Sequence, residues 1–592
     1  MCGICGFTWA NKNLLKKMIN TLKHRGPDDT GYYIDDKISI GHTRLSIIDL
    51  TEKGRQPIHN EDNSIWISFN GEIYNYNEIR KELIKKGHNF YTNTDTEVII
   101  HAYEEYEYDC VNLFNGQFAF CIYDQNKNEI FLARDRFGIK PLYYYHFNGT
   151  FIFASELKTL LQYELKKEIN KEALNQLFTF RYTIAPDTIL KNIYKLKPSH
   201  FIRFNLNTNQ FLISKYFTLN KRLSNKKNIK ELTSELFKLI NDSVRLRMIA
   251  DVPVCCFLSG GIDSSILTGL ASNYNTNINT FSVGFETSSE LKYAKIVSDY
   301  FNTNHHELIV KNEDFLENFN KMLYYMDEPI GDAAFFPTLL ISKLVSKQFK
   351  VVLAGEGSDE VFGGYDKYKL YYYGKKFSQI IPKLNYKSEI LNRMSKFSNL
   401  NENLGYLETI RVFNSEELEK MDLKSANMRK FWSNDGDLFQ KMQYFDINTV
   451  LPEDFFMKAD KMSSAYGLEE RVPYMDHRIV SFGLQLPNNL KLFLLNEKYI
   501  LKKTFLNYLP KVIINRKKRG YNAPMDSWFK SILKYRFLEL INEKNHNLYK
   551  KEFALMPFAK ILNSDANYKK NFLLLQKCWT IFIFEEWYKQ TF

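Results

Sequence analysis

Cysteine is scarce in this chain: seven residues in 592, an odd number, at positions 2, 5, 110, 121, 255, 256 and 578. So small a set excludes a disulfide framework and fits reduced thiols. Glycine and proline are few as well, 26 and 15, which excludes collagenous and low-complexity structure. No apolar run approaches the roughly 18–20 residues of a membrane helix. The amino terminus, Met1-Cys-Gly-Ile-Cys-Gly-Phe7, turns apolar at once without a basic leader, unlike a secretory signal. A soluble, cytoplasmic chain without a membrane partner is expected. Charge of one sign is not dominant either: 80 Lys and Arg stand against 68 Asp and Glu, a net charge of +12. The excess is scattered, with its densest cluster at Arg516-Lys-Lys-Arg519. A solvated surface is expected from this pattern, and no nucleic-acid partner.

What is abundant is apolar bulk. Hydrophobic residues make up 44% of the chain and aromatic ones 15%, enough to exclude disorder and fill two or three large cores. In the first two hundred residues, Phe118–Tyr123, Glu129–Ala133, Leu142–Tyr145 and Phe151–Ala154 read as short strands at hairpin spacing, with a turn at Asn148-Gly149. This is the texture of a β-rich domain. A helix is predicted over Tyr76–Lys86, stopped by Gly87. The pattern changes across residues 205–230, which carry a polar, basic stretch. Beyond it, strand and helix alternate: Asp251–Leu258, Ser264–Ser272, Ile278–Phe285, Leu291–Tyr300, His306–Val310, Phe335–Ser346 and Lys350–Ala354. That alternation predicts a parallel α/β sheet. After Gly364 the chain reads mostly helical. Two domains are expected, 2–210 and 230–592.

The strongest local signal is Leu258-Ser-Gly-Gly-Ile-Asp-Ser-Ser265, between a predicted strand and helix. Paired glycines let backbone N–H groups approach an anion, serines add donors, and the helix dipole favours negative charge. Asp263 would be out of place beside a bare anion but suits a magnesium ion on a phosphate. There is no Walker lysine; the loop looks like the pyrophosphate loop of enzymes that adenylate a substrate from ATP. A second cluster, Leu353-Ala-Gly-Glu-Gly-Ser-Asp-Glu360, follows another predicted buried strand. In open α/β sheets such loops line one crevice beyond the strand ends, so Asp359 is a second candidate magnesium ligand. At the other end of the chain, Cys2 follows the initiator methionine. Removal of Met1 would leave a free α-amine, titrating near 8, beside the thiol it could deprotonate. Cys2-Gly-Ile-Cys5 could instead be a redox or zinc C-x-x-C, although no second pair stands at suitable spacing.

Further motifs occur in order: His24-Arg-Gly-Pro-Asp28, Arg44-Leu-Ser-Ile-Ile48, Asn70-Gly-Glu-Ile-Tyr-Asn75 and Thr94-Asp-Thr-Glu97. With Cys2 they resemble the glutaminase domain of class II glutamine amidotransferases. Together with the two glycine loops, the chain resembles the glutamine-hydrolysing asparagine synthetase family from Cys2 to about Trp528. The resemblance implies a four-layer αββα sandwich of the N-terminal nucleophile type, then an α/β parallel-sheet pyrophosphate-loop domain with added helices. It implies Cys2 as nucleophile, and Asn70 with the Gly71 N–H as oxyanion hole. Glutamine would be held by Arg44, Leu45, Ile47, Glu72 and Asp95. It implies an ATP site of Leu258, Ser259, Gly260, Gly261, Asp263, Ser264, Val283, Ala354 and Gly355, with Mg2+ on Asp263 and Asp359. Glu356 and Lys498 would serve the adenylation step. Leu468-Glu-Glu-Arg-Val-Pro-Tyr-Met-Asp476 matches a family pattern read as structural support.

The implied reaction is a carbon–nitrogen ligation. Aspartate is adenylated by ATP, and ammonia freed from glutamine at Cys2 passes through an internal tunnel lined by small apolar residues and expels AMP. A homodimer is the family expectation. Ala354 replaces a frequent Ser or Thr, and Ser289 a frequent Asp. Two other functions fit parts of the sequence: the same chemistry on another carboxylate, such as a uronic acid of a surface polysaccharide, and a tRNA-modifying pyrophosphate-loop enzyme, which Cys2 and the glutaminase motifs oppose. The residues after about 535 carry no assignable motif.

Overall fold

The computed structural model describes residues 1–219, 227–285, 290–376, 400–494, 496–517, 523–544, 546–563 and 568–592. Ser289, Lys518, Arg519 and part of the polar stretch near 220 lie outside the described residues.

The first half holds two six-stranded antiparallel sheets. One runs in the order Ile193–Lys195, Tyr143–Phe147, Thr150–Ala154, Gly3–Phe7, Ser39–Arg44, Asp29–Ile34. The other runs Phe211–Lys215, His200–Asn205, Glu129–Arg134, Gly116–Asp124, Ile65–Ile73, Ile58–His59. Strand side chains alternate between faces, and the alternation builds the layers. Ile4, Ile40 and Phe153 from the first sheet meet Ala119, Cys121 and Leu132 from the second in a core between them. Ile67, Phe69, Phe118 and Phe120 turn outward onto the helices Tyr76–Lys85 and Asp95–Tyr106. Cys5, Phe7 and Ile152 turn the other way, onto Lys12–Leu22 and Lys171–Phe180. The result is the expected αββα sandwich.

The same parity positions a site. Residues two apart share a face. Continuing from Ile4 puts Cys2, and from Ile40 puts His42 and Arg44, between the sheets. Trp66 packs on the inter-sheet core, so Ser68, Asn70 and Glu72 point there too. The candidate side chains Cys2, Arg44, Asn70 and Glu72 therefore converge at one end of the sandwich, with His42 and Ser68 beside them.

The second half is built on a five-stranded parallel sheet in the order Asn304–Val310, Asn279–Phe285, Val254–Phe257, Val351–Leu353, Glu469–Arg471. Val254–Phe257 and Val351–Leu353 are neighbours, so the two glycine loops leave the sheet side by side. Two features were not legible. Glu469–Arg471 is a strand, and the motif-free end of the chain forms the helix Tyr568–Thr591. That helix buries Trp579, Phe582 and Phe584 in a core shared with Leu15, Leu177 and Phe178 of the first half. Among the described residues no helix is long and apolar enough to cross a membrane.

Candidate active sites

Cys2 lies half-buried at the head of the strand Gly3–Phe7, its thiol 3.9 Å from the Leu45 carbonyl. Burial raises the thiol above its ordinary range, and the neighbouring α-ammonium opposes this. Met1 is itself buried, and burial pulls its amine down to about 5. Arg25, from the His24-Arg-Gly-Pro-Asp28 motif, fixes the Cys2 backbone: its Nε donates to the Cys2 carbonyl at 3.0 Å. Its other nitrogens pair with Glu156 at 2.9 Å and with Asp460, in the second half, at 2.8 Å.

Asn70 is fully buried, yet among the described residues neither its amide nitrogen nor its oxygen has a hydrogen-bond partner. A buried amide without partners costs about 1–3 kcal/mol unless something completes it. A developing oxyanion would. Gly71 beside it tolerates no side chain, because a Cβ would overlap the Gln117 carbonyl. Arg44 is held by carbonyls: Nη1 donates to Thr51 at 2.8 Å and Nη2 to Asp49. No carboxylate pairs with it among the described residues, so its charge is left for an incoming anion. Leu45 and Ile47 are buried in a core shared with the second half. Asp95 starts the helix Asp95–Tyr106 and accepts from the Ile73 N–H at 2.8 Å. Burial, with Glu469 nearby, pushes its carboxyl up to about 7. Glu72 pairs with Arg471 of the second half at 3.1 Å, and burial still drives its carboxyl upward.

The second site is a cavity of about 610 Å³ beyond the parallel strands. Ser259, Gly261, Asp263, Ser264, Ala354, Gly355, Glu356, Asp359 and Lys498 line it. The serines organise the loop: Ser264 Oγ accepts from the Ser259 N–H at 3.2 Å, and Ser265 Oγ donates to the Gly261 carbonyl at 2.6 Å. The helix Ile262–Ser272 aims its amino end at this loop. Gly260 stands behind the wall with φ +66°, where a Cβ would collide with the backbone of Tyr293 and Ala294. Leu258 is also behind it: its N–H goes to Phe281 at 2.8 Å and its carbonyl accepts from Ser282. Val283 packs among buried apolar side chains.

Lys498 lines the cavity between Asp263 and Asp359. Its ammonium lies 2.6 Å from Asp263 and 2.7 Å from Asp359, and burial by itself would lower its pKa. The two carboxylates outweigh that and raise it to about 12. Lys498 adopts the left-handed backbone region, φ 51°, a conformation rare outside glycine and common where a side chain must be aimed. Gly364 makes room, since a Cβ there would overlap Asp359 and Lys498. The two carboxylates thus converge on a single cationic position. Their oxygen donors suit a hard divalent ion, whose entry would displace the ammonium. Elsewhere on the wall, Arg181 pairs with Asp454 at 2.7 Å, and Lys458 is held charged, against its burial, by Asp332, Glu356 and Asp454.

Residues 235–589 match the family model described as asparagine synthase, and residues 1–217 match that of the glutamine amidotransferase domain. The chain belongs to the asparagine synthase family. It is 34% identical to the glutamine-hydrolyzing asparagine synthetase 1 of Bacillus subtilis, over 99% of this chain and 96% of that protein. It is 38% identical to a putative glutamine-hydrolyzing asparagine synthetase 2 of Methanocaldococcus jannaschii, over 78% of this chain and 98% of that one. To asparagine synthetase 3 of B. subtilis it is 30% identical, with 88% and 87% covered.

Several residues of this asparagine synthase-family chain were not singled out from sequence. His42 is fully buried, neutral because burial lowers it to about 3, and its Nδ1 has no partner among the described residues. Arg25 carried a signal, its place inside a motif, but not its role. Arg516 and Lys517, read as part of a basic surface cluster, line the cavity, and Arg516 donates to the Gly260 carbonyl at 2.7 Å. Phe572 and Gln576 of the last helix form another part of its wall.

Proposed function

We propose that this chain makes asparagine from aspartate, glutamine and ATP, releasing glutamate, AMP and pyrophosphate. The observation that carries the glutaminase half is the unpartnered, buried Asn70 amide at the end of the sandwich that holds Cys2. Met1 is excised on this reading, which opens space beside the thiol and transfers the α-amine to Cys2, where it serves as base. Cys2 Sγ attacks the glutamine side-chain carbonyl. The Asn70 amide and Gly71 N–H receive the oxyanion. Arg44 takes the substrate carboxylate and Asp95 its ammonium. Ammonia leaves, and water releases glutamate from the thioester.

In the second half the Ser259–Ser264 loop and helix end hold the pyrophosphate of ATP. Asp263 and Asp359 would hold Mg2+, which when bound neutralises phosphate charge. The acceptor carboxylate attacks the α-phosphate and pyrophosphate leaves; Lys498, were its hold on the two carboxylates loosened, would meet the charge that develops there. The charged part of the wall supports aspartate as acceptor. Lys458 and Arg181 offer cations, and Asp332 and Glu356 anions, a mixed set that suits an amino acid better than a plain sugar acid. Ammonia then attacks β-aspartyl-AMP and expels AMP.

The test is product identity. Protein is incubated with glutamine, ATP, Mg2+ and aspartate, and products are followed by mass spectrometry. Equal amounts of asparagine, AMP and glutamate are expected. Glutamate without AMP or asparagine would sink the aspartate assignment and leave the glutaminase standing.

A further inference from the structure

On the outer face of the sandwich, away from both sites, three elements bring imidazoles and carboxylates together. Glu61 follows the strand Ile58–His59, His88 follows the helix Tyr76–Lys85, and His101 and Glu104 are one turn apart on the helix Asp95–Tyr106. One ligand atom each from Glu61, His88 and His101 fall within 4.8 Å of one another. Glu104 Oε2 lies among them, 2.7 Å from His101 Nδ1 and 3.5 Å from His88 Nδ1.

The surrounding groups aim these atoms inward. Glu61 spends Oε1 on the Asn89 N–H at 3.1 Å and turns Oε2 toward His101 Nδ1 at 3.8 Å. Glu104 spends Oε1 on the Asn60 amide at 2.8 Å. Each imidazole has a carboxylate behind it: Glu105 is 3.1 Å from His88 Nε2, and Glu97 is 3.7 Å from His101 Nε2. His101 is fully buried, and this Nε2 has no hydrogen-bond partner among the described residues. A carboxylate behind a histidine whose other nitrogen faces a shared point is the arrangement that orients imidazole ligands on a metal.

We propose that Glu61, His88, His101 and Glu104 bind one zinc-class divalent cation. Two imidazoles and two carboxylates suit zinc, with nickel and copper as competitors, over magnesium or calcium. Tetrahedral zinc with bonds near 2.0–2.1 Å needs its ligand atoms about 3.4 Å apart. Glu61 is exposed and His88 half-buried, so both can close in. The ion would brace the helix whose first residue is Asp95, linking this face to the glutamine pocket mechanically without joining its chemistry.

The experiment uses the full-length protein, stripped with EDTA, loaded with zinc sulfate and passed through gel filtration. One zinc per chain is expected by elemental analysis, with a higher melting temperature than the stripped protein. His88→Ala and Glu61→Gln, both at accessible positions, should keep the stripped protein's melting temperature and lose the zinc. Asn60→Ala, which removes an outer partner, should weaken zinc binding about 10–100-fold in titration calorimetry. A protein that retains no zinc overturns the proposal. So does zinc retained equally by His88→Ala and Glu61→Gln, which would mean a site elsewhere, such as Cys2. Neither result bears on asparagine formation.

Discussion

Glu470 and Arg471 are neighbours in one three-residue strand and face different sites. Arg471 reaches back to Glu72 of the glutaminase half at 3.1 Å. Glu470 meets Glu356, on the wall of the nucleotide cavity, and that contact together with burial drives its carboxyl well upward. Strand alternation is the cause: successive side chains leave on opposite faces. Two adjacent buried residues therefore connect the nucleotide cavity to the glutaminase half.

Removing the Arg471 charge tests this link. Arg471→Met leaves Glu72 and Glu469 without their shared cation, a loss expected to cost about 3–5 kcal/mol. A urea titration reads the stability. The ratio of glutamate to asparagine reads coupling and should rise above one. An unchanged ratio in a folded variant would show that the pair is a structural support only.

Cys2→Ala separates the two chemistries. Glutamine-dependent synthesis should fall by about three orders of magnitude or more, while synthesis from ammonium salts persists. Parallel loss of both rates would remove Cys2 from its assigned role.

Asn70 offers an unusually clean substitution. Its amide has no partner among the described residues to lose, so Asn70→Ala should leave the melting temperature nearly unchanged. Glutamine hydrolysis should drop about 10²–10³-fold in kcat, the effect of removing one oxyanion donor. A large fall in melting temperature would instead make Asn70 part of the packing.

At the nucleotide cavity, Asp263→Asn should abolish AMP formation and spare glutamine hydrolysis. Gly364→Ala forces a methyl against Asp359 and Lys498. Overpacking of that kind costs about 1–3 kcal/mol, and the Mg2+ requirement should rise with it. Full adenylation by either variant would contradict the assignment of Asp263 and Asp359.

Asp95 sets an acid limb. Burial raises its carboxyl to about 7, and only the ionised form attracts the glutamine ammonium. KM for glutamine should therefore rise as pH falls through about 7. Glu469 contributes to the raised value, so Glu469→Gln should move the limb to lower pH. The stability effect has the opposite sense. Asp95 holds a proton in the folded state between about 4, its unfolded value, and 7. Its contribution favours folding at acid pH and is lost as pH rises through 7. Asp95→Asn should flatten that slope in urea titrations.

Much of this was legible because local signals agreed with the fold. Phe118–Tyr123 alternates and ends in turn residues, and it is a strand of the inter-sheet core. The two glycine loops announce themselves by composition. Glu469–Arg471, read only as structural support within a motif, was illegible as a strand because three charges in succession lack apolar alternation, and tertiary partners are what bury them. The last helix was illegible for the reverse reason. From Leu575 to Trp587 it is buried on every side, with Gln576, Lys577, Thr580, Glu585 and Glu586 among the apolar residues, so it lacks the one-sided periodicity that marks a surface helix. Lys498 was assigned from motif alone; that two carboxylates hold its ammonium is a property of strands brought together from distant parts of the chain.

The burial of that last helix has a consequence for biosynthesis. Phe584 packs on Phe178 at 5.9 Å between ring centroids, and these residues emerge from the ribosome just over four hundred positions apart. The outer core of the first half therefore stays open throughout most of translation, with Leu177 and Phe178 uncovered. A chain cut short before the helix Tyr568–Thr591 would leave that apolar surface uncovered, a target for chaperones and proteases. Docking of this one late-made helix is the event that closes the core.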